Sequence, residues 1–270
     1  MEKKKPELFF STLTGIILSF FFLANLTDRE LFRFHFNFFN FSISMALNTI
    51  ELVIPSAAAA TVVGLYYAFR SWLQINRRQM ILSLFLPFAV TLTIGFTLRN
   101  LSYGLNSWGL LLISGVLLYL VLLFEFISCD PDSPHKARAI IVLNSLCYAV
   151  FLLFAIALRA NVSRLIVSIP AIFFLCFGIS MKIYSFYIIN SSIIIAASVT
   201  SFVLCCADAG LHYWPVNIIS YGALIFLWYY IFSNFIIGAD REEESKSIIR
   251  RILPAGISSV FVLIYSMIRL

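Results

Sequence analysis

The chain has 270 residues, of which 61% are hydrophobic and only 12% charged, with a net charge of +6 and a mean hydropathy of +0.95. A soluble domain is about half apolar and about a quarter charged, so a water-exposed globule is excluded. The cations are spread thinly over many segments with no basic cluster beyond Lys3 to Lys5; they read as membrane topology and not as a nucleic-acid surface.

Uninterrupted apolar runs of about twenty residues match what an α-helix needs to cross a hydrocarbon core of roughly 30 Å. They predict spans at 8–26, 44–69, 80–98, 108–128, 139–158, 165–181, 186–208, 217–238 and 252–269. The expected fold is all-α, a polytopic transmembrane helix bundle of about nine spans, forming one integral membrane domain over 1–270. The first run follows MEKKK and leads into FFLANLTDRE without a small-residue cleavage site, so it reads as a retained anchor. Next, LFRFHFNFFNFS alternates Phe32, Phe34, Phe36 and Phe38 with Arg33, His35 and Asn37, the period of an extended chain lying along the outer membrane face. His35 is too isolated there to be a metal ligand.

Span two places Glu51 about seven residues from its outer end, ahead of Pro55 and a thin face made by Ala57 to Ala60 and Gly64 that suits close helix packing. Pro87, Pro170 and Pro254 also fall inside apolar runs, where membrane helices tolerate them as kinks. Span three ends at Arg99. Glu125 sits near the inner end of span four, one turn from the polar CDPDSPHK loop. Arg159 and Arg164 flank the short loop between spans five and six, and Lys182 sits in the turn between spans six and seven. Span seven closes in CCADAGLHYWPVN, and ADREEESKSIIRR reads as a short solvated helix with an i,i+4 pair of Glu242 and Lys246. The segments LLFEFISCDPDSPHK and FSNFIIGADREEESK set Asp130 and Asp240 at matching places four spans apart, the pattern of a weak parallel repeat of spans one to four and five to eight.

With the N-terminus in the cytoplasm, thirteen of the 19 Lys and Arg fall on the inside and six on the outside, as the positive-inside rule requires. Fusing spans six and seven across Lys182 gives eight spans instead and inverts everything after it. Asn25, Asn40, Asn100 and Asn161 each begin an N-x-S/T triplet on the outer side, relevant only in a secretory eukaryotic setting.

Charged groups inside a bilayer cost roughly 2.5 to 3.5 kcal/mol each on insertion scales, which singles out Glu51, Glu125 and Asp208. Glu51 and Asp208 share the outer half with Arg99, Arg159, Arg164 and His212, a candidate outer-face polar cluster; Glu125 is the inner-face candidate. A helix continuing past Asp208 puts His212 four residues on and on the same side, the minimum for proton handling, although Gly210 and Pro215 favour fraying. Tyr213 and Trp214 are boundary anchors, and Asp208 is then expected to pair with an outer arginine. The cysteines lack CxxC spacing and read as small core residues. No nucleophile, metal or nucleotide motif occurs, so no catalytic residue, metal or cofactor is assigned.

Glu125 and Asp130 after a long span, the RLIVSIPAI start of span six and the GLHYWPV boundary after span seven resemble a family of small uncharacterised multi-pass bacterial membrane proteins. The resemblance implies a bacterial inner-membrane location and transfers no catalytic residue. The leading expectation is a non-enzymatic binding or assembly component, whose outer face meets membrane lipid, a lipid-linked glycan or another membrane subunit. Its alternatives are a secondary transporter using Glu51 or Asp208, which needs a polar cavity at the midplane, and an intramembrane transferase acting on lipid-linked substrates.

Overall fold

The computed structural model describes residues 6–26, 30–38, 41–72, 77–99, 105–130, 133–162, 164–188, 192–243 and 245–268. Lys3 to Lys5, Arg29, Asn40, Asn100 and Arg269 lie outside them. Nine helices occur among the described residues: α1 (Pro6–Leu26), α2 (Thr49–Trp72), α3 (Arg77–Arg99), α4 (Leu105–Cys129), α5 (Lys136–Asn161), α6 (Leu165–Tyr187), α7 (Ile193–His212), α8 (Ile218–Asp240) and α9 (Ser245–Ile268). All nine are long and apolar enough to cross a membrane. Successive helices pack antiparallel, so one face carries the start of α1 and the ends of α2, α4, α6 and α8. This is termed the N-terminal face.

Two strands, β1 (Glu30–Phe38) and β2 (Phe41–Asn48), form an antiparallel hairpin before α2. Its register sets Phe34 opposite Met45 and Phe36 opposite Ile43, while His35 faces Ser44 across the pair. The extended reading of 31–38 therefore holds, but residues 44–48, expected as the start of span two, belong to the hairpin. FSISMALN alternates with period two, which a helix cannot use and a paired strand can.

The buried interior runs through α3, which touches α2, α4, α5 and α6. On α2, Ala57 and Ala58 are buried while Ala59 is exposed, so the thin face is narrower than the alanine run. A Cβ on Gly64 would run into Leu13 of α1, and one on Gly178 into the Phe85 ring of α3. These are the close approaches that van der Waals packing demands where lipid removes the hydrophobic drive between helices. Buried hydroxyls return bonds to their own helix: Thr91 to the Pro87 carbonyl, Thr93 to that of Ala89, Thr200 to that of Ala196 and Ser201 to that of Ala197. Large apolar residues such as Leu112, Ile113 and Val116 point outward, a surface suited to acyl chains.

Two connections differ from expectation. Helix α6 continues six residues beyond the expected 181, so Lys182 is inside a helix and buried, not in a turn. The count remains nine. The expected solvated helix is replaced by a turn at Arg241–Glu243, with Ser245 and Lys246 opening α9: Glu242 takes φ 53°, its N–H bonds the Ala239 carbonyl, and the Glu243 N–H bonds that of Gly238. This is the Schellman closure of α8, with a glutamate at the left-handed position that glycine occupies at least cost. Replacing Glu242 with glycine is expected to stabilise the protein by about 0.5 to 1 kcal/mol, measured as a rise in thermal unfolding temperature in detergent.

Candidate functional site

Helices α3, α4 and α6 converge near the N-terminal face on one buried ion pair. Lys182 Nζ donates to Glu125 Oε2 at 2.6 Å and to Ser83 Oγ at 3.0 Å, and Ser83 Oγ lies 3.1 Å from Cys129 Sγ. Both charged side chains are almost fully buried, at 3% and 0% exposure. The ammonium also lies 5.0 Å from the centre of the Phe186 ring, a cation–π arrangement that needs no hydrogen-bond acceptor. Glu125 Oε1 has no hydrogen-bond partner, so the carboxylate is anchored through one oxygen only. Sequence reading singled out Glu125 and missed its partner. The available signal was that apolar residues continue on both sides of Lys182, at a depth from the helix end matching that of Glu125.

A cavity of about 460 Å3 opens beside this pair, between the N-terminal-face ends of α3, α5, α6 and α7. Its polar lining includes Gln79, Ser83, Ser128, Lys136, Lys182 and Ser185; its apolar walls are Leu82, Ile140, Phe186 and Ile193. Lys182 lies five residues before the end of α6, about 7.5 Å at roughly 1.5 Å per residue. The cavity therefore reaches the headgroup and upper acyl level, not the middle of a hydrocarbon core of roughly 30 Å.

The opposite face carries the expected outer residues, divided into two groups. Asp208 is fully buried and accepts hydrogen bonds from Ser168 Oγ at 3.0 Å and from the Tyr221 hydroxyl. Arg159 stacks over the Tyr221 ring at 5.2 Å, donates to His212 Nδ1 at 3.2 Å, and donates to the His212 carbonyl at 3.2 Å. A guanidinium only donates, so Nδ1 is the acceptor, and the second bond closes the C-terminus of α7. Helix α7 does continue to His212, yet Asp208 and His212 are not joined. The acid turns to α6 and α8, and the imidazole to α5. Asp208 also meets no arginine directly; Tyr221 stands between it and Arg159.

Glu51 and Arg99 form the second group, an ion pair at 2.6 Å with the arginine 42% exposed. Because the hairpin takes residues 41–48, Glu51 falls in the first turn of α2 and its Oε2 accepts from the Asn48 N–H at 3.4 Å. It is a helix-start carboxylate, not a deep intramembrane acid. Arg164 is exposed at the start of α6. Tyr213 and Trp214 are exposed just beyond α7, where boundary anchors belong. Asn161 spends its amide on the Phe96 and Ala157 carbonyls. The five cysteines are free, and the described residues hold no group of three His, Cys, Asp or Glu able to grip a metal ion.

Nine apolar helices with a buried acid and base between them define a multi-pass helical membrane protein. Within that class, the chain belongs to the family described as "Protein of unknown function (DUF5656)", which matches residues 29–268, from just before the hairpin to the end of α9. No curated protein and no solved structure matches it.

Proposed function

We propose that the protein is a non-enzymatic binding component of the membrane that takes the anionic headgroup of an amphiphile into the Lys182 cavity, and that the N-terminal face is the cytoplasmic side of a bacterial inner membrane. The observation that carries this reading is the cavity itself: cations and hydroxyls at headgroup depth, beside the apolar side chains of Leu82, Ile140, Phe186 and Ile193. Lys136 supplies a cation without a buried acid attached, and Lys182 holds the floor. The depth argues for headgroup capture over alternating access, which needs a site near the bilayer midplane. The outer-face reading is weaker, because both carboxylate oxygens of Asp208 and the Nδ1 of His212 are already bonded to neighbouring helices.

The test uses the full chain in nanodiscs containing a photoactivatable phosphatidylglycerol. Labelling is expected at Leu82, Ile140 and Phe186, to be outcompeted by phosphatidylglycerol and not by phosphatidylcholine, and to fall severalfold in Lys136→Glu. Labelling confined to outward-facing residues such as Leu112 and Ile113, or unaffected by Lys136→Glu, would overturn it.

A further inference from the structure

A second cavity, of about 220 Å3, lies between α5, α6, α8 and α9 on the N-terminal face. Two guanidinium groups line it. Arg241, the residue after α8, lies 5.2 Å over the Tyr187 ring and donates its Nε to the Tyr187 carbonyl at 3.3 Å. Arg251, two turns into α9, donates to Glu243 Oε2 at 2.8 Å. Glu243 is delivered by the same left-handed turn at Glu242 that closes α8, so the turn fixes the acid relative to Arg241.

The remaining lining is amide and phenol. Asn144 Oδ1 is buried with no hydrogen-bond partner. An Asn amide presents either its oxygen or its NH2 on turning over, so this position accepts from or donates to a group that enters. Asn234 donates its Nδ2 to the Tyr230 carbonyl at 2.8 Å, which leaves its oxygen as an acceptor for a hydroxyl. Tyr148, bonded to Ser233 at 2.9 Å, and Tyr230 pack ring against ring at 5.5 Å and form an aromatic wall.

We infer that this cavity is a binding site for a phosphate ester bearing a small hydroxylated group, with Arg241 and Arg251 holding the phosphate oxygens and Asn144 and Asn234 reading the hydroxyls. Paired guanidinium groups match the fork geometry of phosphate, and their charge-assisted bonds are about twice as strong as neutral ones. At roughly 30 Å3 per water the space admits about seven waters, which suits a phosphate with a short polyol. The incoming oxyanion takes the Arg251 donor now given to Glu243, making that acid a built-in competitor. The chemistry is shared by a free polyol phosphate and by the headgroup of a phosphoglycerol lipid. The site shares no lining residue with the Lys182 cavity and stands or falls independently of it.

Calorimetric titration of glycerol phosphate into the full chain in phosphatidylcholine nanodiscs tests the free source, and native mass spectrometry with added phosphatidylglycerol, in a Lys136→Glu background that weakens the Lys182 cavity, tests the lipid source. Binding of either probe is expected to weaken about tenfold or more in Arg241→Gln and in Arg251→Gln. It should tighten severalfold in Glu243→Gln and weaken in Asn144→Leu. Binding of glycerol phosphate alone assigns a soluble ligand, and of the lipid alone a headgroup. Failure of both probes to bind, or affinities unmoved by the two arginine variants, overturns the site; so does weaker binding in Glu243→Gln.

Discussion

Lys182→Met is expected to lower stability by about 3 to 5 kcal/mol, the usual result of removing one partner from a buried ion pair, because Glu125 is then left buried with Ser83 and Cys129 as its polar company. Glu125→Met should cost a similar amount, since Lys182 keeps Ser83 and the Phe186 ring but no counter-charge. The double variant Lys182→Met and Glu125→Met should recover most of the loss, because well-packed apolar pairs often equal or exceed buried ion pairs in stability. Reversible unfolding in mixed micelles gives the three values and their coupling. Additive losses without recovery in the double variant would mean that the two residues act through separate partners. A stable double variant that no longer captures phosphatidylglycerol would separate the pair's part in the cavity from its part in the fold.

Asp208→Ala is the second large effect, at about 2 to 4 kcal/mol. It removes an acceptor shared by two buried donors, and each orphaned hydroxyl costs about 1 to 3 kcal/mol. Tyr221→Phe should cost less, because Ser168 still serves the carboxylate while the ring keeps its place beneath Arg159. His212→Ala should change stability by under about 1 kcal/mol, since the main-chain carbonyl that accepts from Arg159 survives the substitution. The same unfolding assay orders the three variants. A His212 loss as large as that of Asp208 would restore the direct pairing that the sequence suggested and the structure does not contain.

The number of spans was legible because hydrophobic run length is a local property that the bilayer thickness fixes. Pairings were not, because they depend on residues far apart in the chain. Lys182 interrupts an apolar run and so resembles a boundary; only Glu125, 57 residues earlier, makes a lysine tolerable inside the helix. At Glu51 the missed signal was local: FSISMALN alternates apolar and polar residues, but mean hydropathy absorbed it into the following span and thereby pushed Glu51 too deep. Asp208 and His212 have helical spacing that fits a pair, yet spacing says nothing of which neighbouring helix offers the better partner. Tyr221 and Ser168, ordinary residues near the starts of their spans, were invisible for the same reason.

The Lys182–Glu125 contact also has a place in time. Synthesis delivers α4 first, with its acid, then α5, and only afterwards the lysine on α6. A lone lysine near a helix centre costs roughly 2.5 to 3.5 kcal/mol on entry, and less near the end where it can reach water. The cheapest route is for α6 to enter directly against an α4 already in place, so that the ammonium exchanges water for carboxylate in one movement. The pair thus ties the seating of α6 to the earlier placement of α4.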